Sequence, residues 1–142
     1  MASKAVTDAV EARLGASWTS SVDGTVLPVL GLNSRDQVPA DKTAFIVVEY
    51  PVANDSQITI GAPGSQVFRE SGAFRIIINV SIGGGESQGR GWADELRTLF
   101  RGKQFSGVTT WAPTTPVSVD SDQRGAYWQL AFVVPYFADI FA

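Results

Sequence analysis

The stretch GGGESQGRG at 83–91 is where residue types and spacing come nearest to chemistry. It lies between a strongly apolar run and an amphipathic one, the context in which a strand feeds a helix. Backbone N–H groups and a helix N-terminus at such a junction bind anions. Gly84 and Gly89 have the separation found in a phosphate loop. Arg90 then stands where the phosphate-binding Lys belongs, and Gly91 where a Ser or Thr would ligate magnesium. No acidic strand end follows to supply a second metal contact. The expected role is a sharp reversal from strand into helix, for which Gly is the default residue; a small anion-binding domain using this loop is the alternative.

Asp120 and Asp122 resemble half of a calcium site, but the EF-hand spacing fails beyond those two acids, and a solvated turn is expected. Asp36 and Asp41 have no assignable partner. The chain contains no His and no Cys. That removes imidazole acid–base chemistry, the commonest metal ligand, thiolate nucleophiles and disulfides together. A Ser without a nearby base has no route to activation. The sequence therefore predicts no enzyme, no metal and no cofactor.

Positioning elements can be read from periodicity. Val6, Val10 and Leu14 recur at i, i+4 and i+8, which predicts a short helix closed by Gly15. From Thr19 to Asp41 the chain reads as a long connection holding an extended piece, Thr25–Leu30, interrupted by Pro28. Ala44–Val52 is a strand that must end at Pro51 or run along an edge, because Pro cannot donate to a ladder. Residues 54–70 read as a projecting hairpin arm, with strand-like 57–60 and 66–69. Phe74, Ile76, Ile78, Val80 and Ile82 alternate strictly on one face of the best strand, Ala73–Ile82. Trp92, Leu96, Leu99 and Phe100 then form the apolar side of a second helix, about Ser87–Arg101, stopped by Gly102. Strands around Val108–Trp111 and Pro116–Val119 precede a long aromatic one, Tyr127–Phe137, which continues into the apolar tail 138–142. Its aromatic residues suit either a doubly buried strand or a subunit interface.

These elements predict an α+β fold: one domain over 1–142, with a mainly antiparallel sheet and two helices packed on one face. The 142 residues suffice for one core. A net charge of −3 leaves no broad basic face for nucleic acid. No run is long enough to span a membrane, and the N-terminal residues, with acids at Asp8 and Glu11, lack the apolar core of a secretion signal. The arm has few apolar residues and cannot hold itself together as an isolated ribbon. Association with copies of itself and with other proteins is the expected mode of action. The candidate contacts are Ile58, Ile60, Phe68, Arg69 and Glu70 on the arm, and Arg90, Asp94, Arg97 and Arg101 on the outer side of the second helix.

The residue order also resembles the tail terminator proteins of long-tailed bacteriophages and related tail-like particles. The likeness rests on Pro28-Val29 and Leu32-Asn33 in the early loop, the strand Phe45–Tyr50, Gly72-Ala73-Phe74-Arg75 opening the best strand, and Gly89-Arg90-Gly91-Trp92-Ala93-Asp94-Glu95-Leu96 leading to Leu99-Phe100-Arg101. It extends from about Ala5 to Asp139. The resemblance implies a virion tail protein assembled in the host cytoplasm into a ring, usually a hexamer. Such a ring caps the tail tube, ends its polymerisation and offers its other face to head-completion proteins. DNA passing through the lumen would be contacted without sequence reading. Another head–tail connector component, such as a head-closure or tail-completion protein, is the neighbouring alternative.

Overall fold

The computed structural model describes residues 2–18, 27–30, 44–81, 87–118 and 127–141. Chain order is α1 (Lys4–Ser17), β1 (Val29–Leu30), β2 (Phe45–Gln57), β3 (Val67–Ser81), α2 (Ser87–Phe100), β4 (Gln104–Phe105), β5 (Val108–Thr110), β6 (Val117–Ser118) and β7 (Tyr127–Phe141). The strands form one sheet in the order β1-β2-β3-β7-β5-β4, with β6 also paired to β7. Every pairing is antiparallel except β1 with β2. This is the expected α+β architecture.

Alternation fixes which face is buried. Phe74, Ile76, Ile78 and Val80 of β3 share a face with Leu130, Phe132, Val134 and Tyr136 of β7 and with Ile46, Val48 and Tyr50 of β2. All are buried, and they meet Val6, Val10 and Leu14 of α1 and Trp92, Leu96 and Phe100 of α2 in one core. Phe74 is the centre of that layer, its ring edge-on to Phe100 at 5.1 Å and beside Tyr50 and Tyr136 at 6.4 and 6.2 Å. Aromatic groups stacked this way add to their area burial. No helix among the described residues is long and apolar enough to cross a membrane.

Two expectations need correction and one is decided between its alternatives. The first helix does not stop at Gly15: it runs to Ser17, and the Trp18 N–H donates to the Leu14 carbonyl. Leu14 and Trp18 are both buried one turn apart, and that packing outweighs the roughly 1 kcal/mol a helical Gly costs. The strand through Pro51 takes the second of its two expected courses: β2 continues to Gln57, and Pro51 lies on its edge side, since β1 pairs only with Ile46 and Val47. Glu49 faces Arg75 and Val52 faces Ala73, so Tyr50 and Pro51 together oppose Phe74 in a bulge that absorbs the missing donor. The arm's second strand and the best strand are one element, β3, fifteen residues without a break. Ile82, residues 83–86, Asp36, Asp41, Asp120 and Asp122 lie outside the described residues.

Candidate functional site

Beyond the bulge the sheet leaves the helices and becomes the arm. Its inner side is built by Ala53, Asp55 and Gln57 of β2, Phe68 and Glu70 of β3, and Ala138 and Ile140 of β7. The arm therefore has three strands, because the apolar tail of the sequence pairs along β3 out to Phe141. This third strand supplies the support that a two-stranded ribbon lacks. The tip is closed by the Ile58 N–H donating to the Val67 carbonyl at 2.9 Å and the Val67 N–H to Thr59 Oγ1 at 2.8 Å.

Gly72 makes the bulge possible. A Cβ there would stand 2.2 Å from the Val52 carbonyl oxygen, so only Gly lets β2 approach so closely. Gly89 serves a similar purpose in α2, buried against Val80, Leu130 and Trp128, where a Cβ would come within 2.8 Å of a Val80 methyl. This glycine of the phosphate-loop spacing thus fits helix to sheet. Arg90 and Gly91 follow it inside α2.

The candidate contact residues divide into two groups. Ile58 and Ile60 are exposed at the tip, Ile60 completely, and Val52, Trp111 and Phe141 add further exposed apolar surface, Phe141 being 81% exposed. Phe68 is half-buried. Arg69 lies on the outer face, where it holds Asp139 with two hydrogen bonds of 2.7 and 3.1 Å and stacks on the Phe137 ring at 4.3 Å. Phe137 in turn packs on Trp111 at 5.3 Å. Arg69 holds the Asp139 carboxyl below its ordinary range by that hydrogen bonding.

Glu70 faces the other way and is only 3% exposed. It accepts a 2.7 Å hydrogen bond from the Tyr136 hydroxyl and two, of 3.3 and 3.2 Å, from the Ser3 N–H. Ser3 is the N-cap of α1 and its own side chain makes no cap bond. A carboxylate at this position is favoured by the helix dipole and satisfies an otherwise orphaned donor. Burial, and then the bond to Glu70, push the Tyr136 phenol above its ordinary value. Glu70 is therefore a clasp between helix and arm, buried within the monomer.

On α2, Asp94 is exposed and accepts from Arg97 at 3.3 Å, while Arg97 itself is largely covered. Arg90 and Arg101 are exposed. The helix group and the arm group are not brought together. α2 lies over β3 and β7, whereas the tip stands roughly 20 Å further along β3 than Phe74, at about 3.3 Å per residue.

Sequence reasoning missed Asp139, Phe137, Trp111, Tyr136 and Ser3 as partners of these residues. One signal was present: Asp139 is the lone acid in the apolar tail YFADIFA, and a charge in such a run needs a counterpart. Naming Arg69 required the β3–β7 register.

Residues 5–136 match the family described as phage tail terminator protein. No curated protein matches the chain. Eight solved chains do; one superposes with a TM-score of 0.62 over 100% of this chain and 99% of its own at 20% identity, which shows a shared fold. The family match runs from the start of α1 to Tyr136, taking in both helices and most of the sheet. This chain is a structural protein of the phage tail and belongs to the phage tail terminator family.

Proposed function

We propose that the chain forms a ring, with six copies the expected number, that caps the tail tube, ends tube polymerisation and presents its other face to a head-completion protein. The observation that supports this most is the arm. Its tip and outer face carry Val52, Ile58, Ile60, Trp111 and Phe141 into solvent on a three-stranded support. A monomer gains nothing from apolar side chains held out in this way, whereas a subunit or tube contact covers them. A closed ring is the economical way for one chain to satisfy such a surface repeatedly. The proposed route is assembly in the host cytoplasm, with DNA later crossing the lumen. A net charge of −3 suits a passage that must not grip DNA.

Negative-stain microscopy and sedimentation of the purified protein, alone and with tube protein, test this reading. Rings in either condition are expected. A strict monomer that ignores the tube protein would overturn it.

A further inference from the structure

Where the body meets the arm, five strands stand abreast. Asp55 pairs with Glu70, Glu70 with Ala138, Ala138 with Val108 and Val108 with Phe105. The adjoining row is Asn54, Ser71, Phe137, Thr109 and Gln104. β2 and β4 are the outermost strands of both rows. Four antiparallel pairings link them, so the two run in the same direction.

Each of these strands has an open side. Among the described residues, β1 covers only Ile46 and Val47 of β2, and β4 pairs only with β5. The two-residue period of the backbone decides which groups point outward. The Ile58 N–H donates to the Val67 carbonyl, so Asn54 and Ser56 also turn toward β3, while Ala53, Asp55 and Gln57 turn away from it. On β4, the Thr110 N–H donates to the Lys103 carbonyl at 2.8 Å. Ser106 and Gly107, with φ of 47° and 82°, close a tight hairpin onto β5. Lys103 and Phe105 therefore face β5, and Gln104 faces outward. Proteins that work alone blunt such edges with Lys, Pro or a covering element. The arm's part of β2, VANDSQ at 52–57, has neither Lys nor Pro.

We propose that the outward edge of β2 in one copy adds to the outward edge of β4 in the next, so that one sheet continues from subunit to subunit. This rests on the ring reading and names the contact that builds the ring. In parallel pairing the Gln104 N–H donates to the Ala53 carbonyl of the next copy, and the Gln104 carbonyl accepts from that copy's Asp55 N–H. Gln104 then lies opposite Asn54, the residue already in its row within one chain, so copies placed side by side meet without a stagger.

The side chains on both faces suit this register. Asn54 and Gln104 are exposed and share the outer face, where their amides can bond each other. On the inner face Asp55 comes beside Phe105. The Arg13 guanidinium stands 5.1 Å over the Phe105 ring, held there by a 2.9 Å bond from its Nε to the Leu99 carbonyl. Neither Asp55 nor Arg13 has an ion pair among the described residues. Charge complementarity thus selects a second copy of this chain as the occupant. Pairing β2 with β2 about a two-fold axis would leave both β4 edges open. Head-to-tail addition uses both edges of every copy and closes into a ring.

Amide hydrogen exchange in the monomer and in rings, formed alone or with tube protein, tests the contact. Segments 53–57 and 103–105 are both expected to exchange at least about tenfold more slowly after assembly. Asp55→Lys is expected to weaken association about tenfold, and Arg13→Glu added to it to restore rings, because the pair is then reversed at every contact. Circular dichroism checks that the variants fold; if loss of the Leu99 bond unfolds the double variant, exchange in the wild type decides alone. Rings in which both segments exchange as fast as in the monomer overturn this inference and leave the ring reading standing. Protection of 53–57 without 103–105 does the same, since another partner then covers β2. A wild type that never forms rings overturns the ring reading itself.

Discussion

The body and the arm share the same three strands but treat their apolar residues in opposite ways. In the body, Phe74, Ile76, Ile78, Phe132 and Val134 disappear beneath two helices. Past the bulge at Tyr50 and Pro51 the same strands leave Val52 and Phe141 exposed on the outer face and Ile140 exposed on the inner one, and the loop at their end carries Ile58 and Ile60. Apolar content alone does not separate them; what changes is whether a second layer covers the sheet. A strand can serve the core and an interface in turn if something redirects its faces between the two. Here a bulge and one glycine do that.

Altering the junction should bring the largest loss. Gly72→Ala drives a methyl into the Val52 carbonyl, and about 3 kcal/mol of stability, roughly 10 °C in Tm, should go. An unchanged melting point would mean the close approach at the bulge is not needed. Tyr136→Phe removes one donor from the buried Glu70 carboxylate and should cost about 1.5–2 kcal/mol by urea titration. It should also reduce the loss of stability at alkaline pH. The phenol is raised in the fold, so its share of stability is complete below about pH 10 and declines as pH rises toward the folded value.

Asp139→Asn acts on an exposed pair and should have a smaller effect, seen as faster amide exchange along 137–141 with the body unchanged. Its sign with pH is opposite. Because Arg69 lowers the Asp139 carboxyl, the pairing is complete above about pH 4 and is lost as pH falls below it. The smallest effect on folding belongs to the tip: Ile60→Ser should change stability by no more than about 0.5 kcal/mol while weakening assembly. If Ile60→Ser lowers the melting point by several degrees, the tip belongs to the fold and the contrast between body and arm fails.

Much of the body was legible in the sequence because burial writes a period. Strict alternation from Phe74 to Val80 located the central strand, and the four-residue spacing of Trp92, Leu96 and Phe100 located α2. The ends were less legible, since they depend on tertiary contact: α1 outruns Gly15 only because Trp18 has a place in the core. β4 is two residues long, and the parallel β1–β2 pair joins distant segments, so neither leaves a period to read. The arm was foreseen as a hairpin, but its third strand was not, because nothing local reveals that 137–141 pairs with 67–71. The same blindness to register presented Arg69 and Glu70 as neighbouring contacts, although they point to opposite faces and are held by Asp139 and Tyr136.

Tail length tests the central claim most directly. In particles produced without this protein, tail tubes should be overlong and irregular in electron micrographs, with heads still retaining DNA. Tails of normal, uniform length attached to leaking heads would contradict the account.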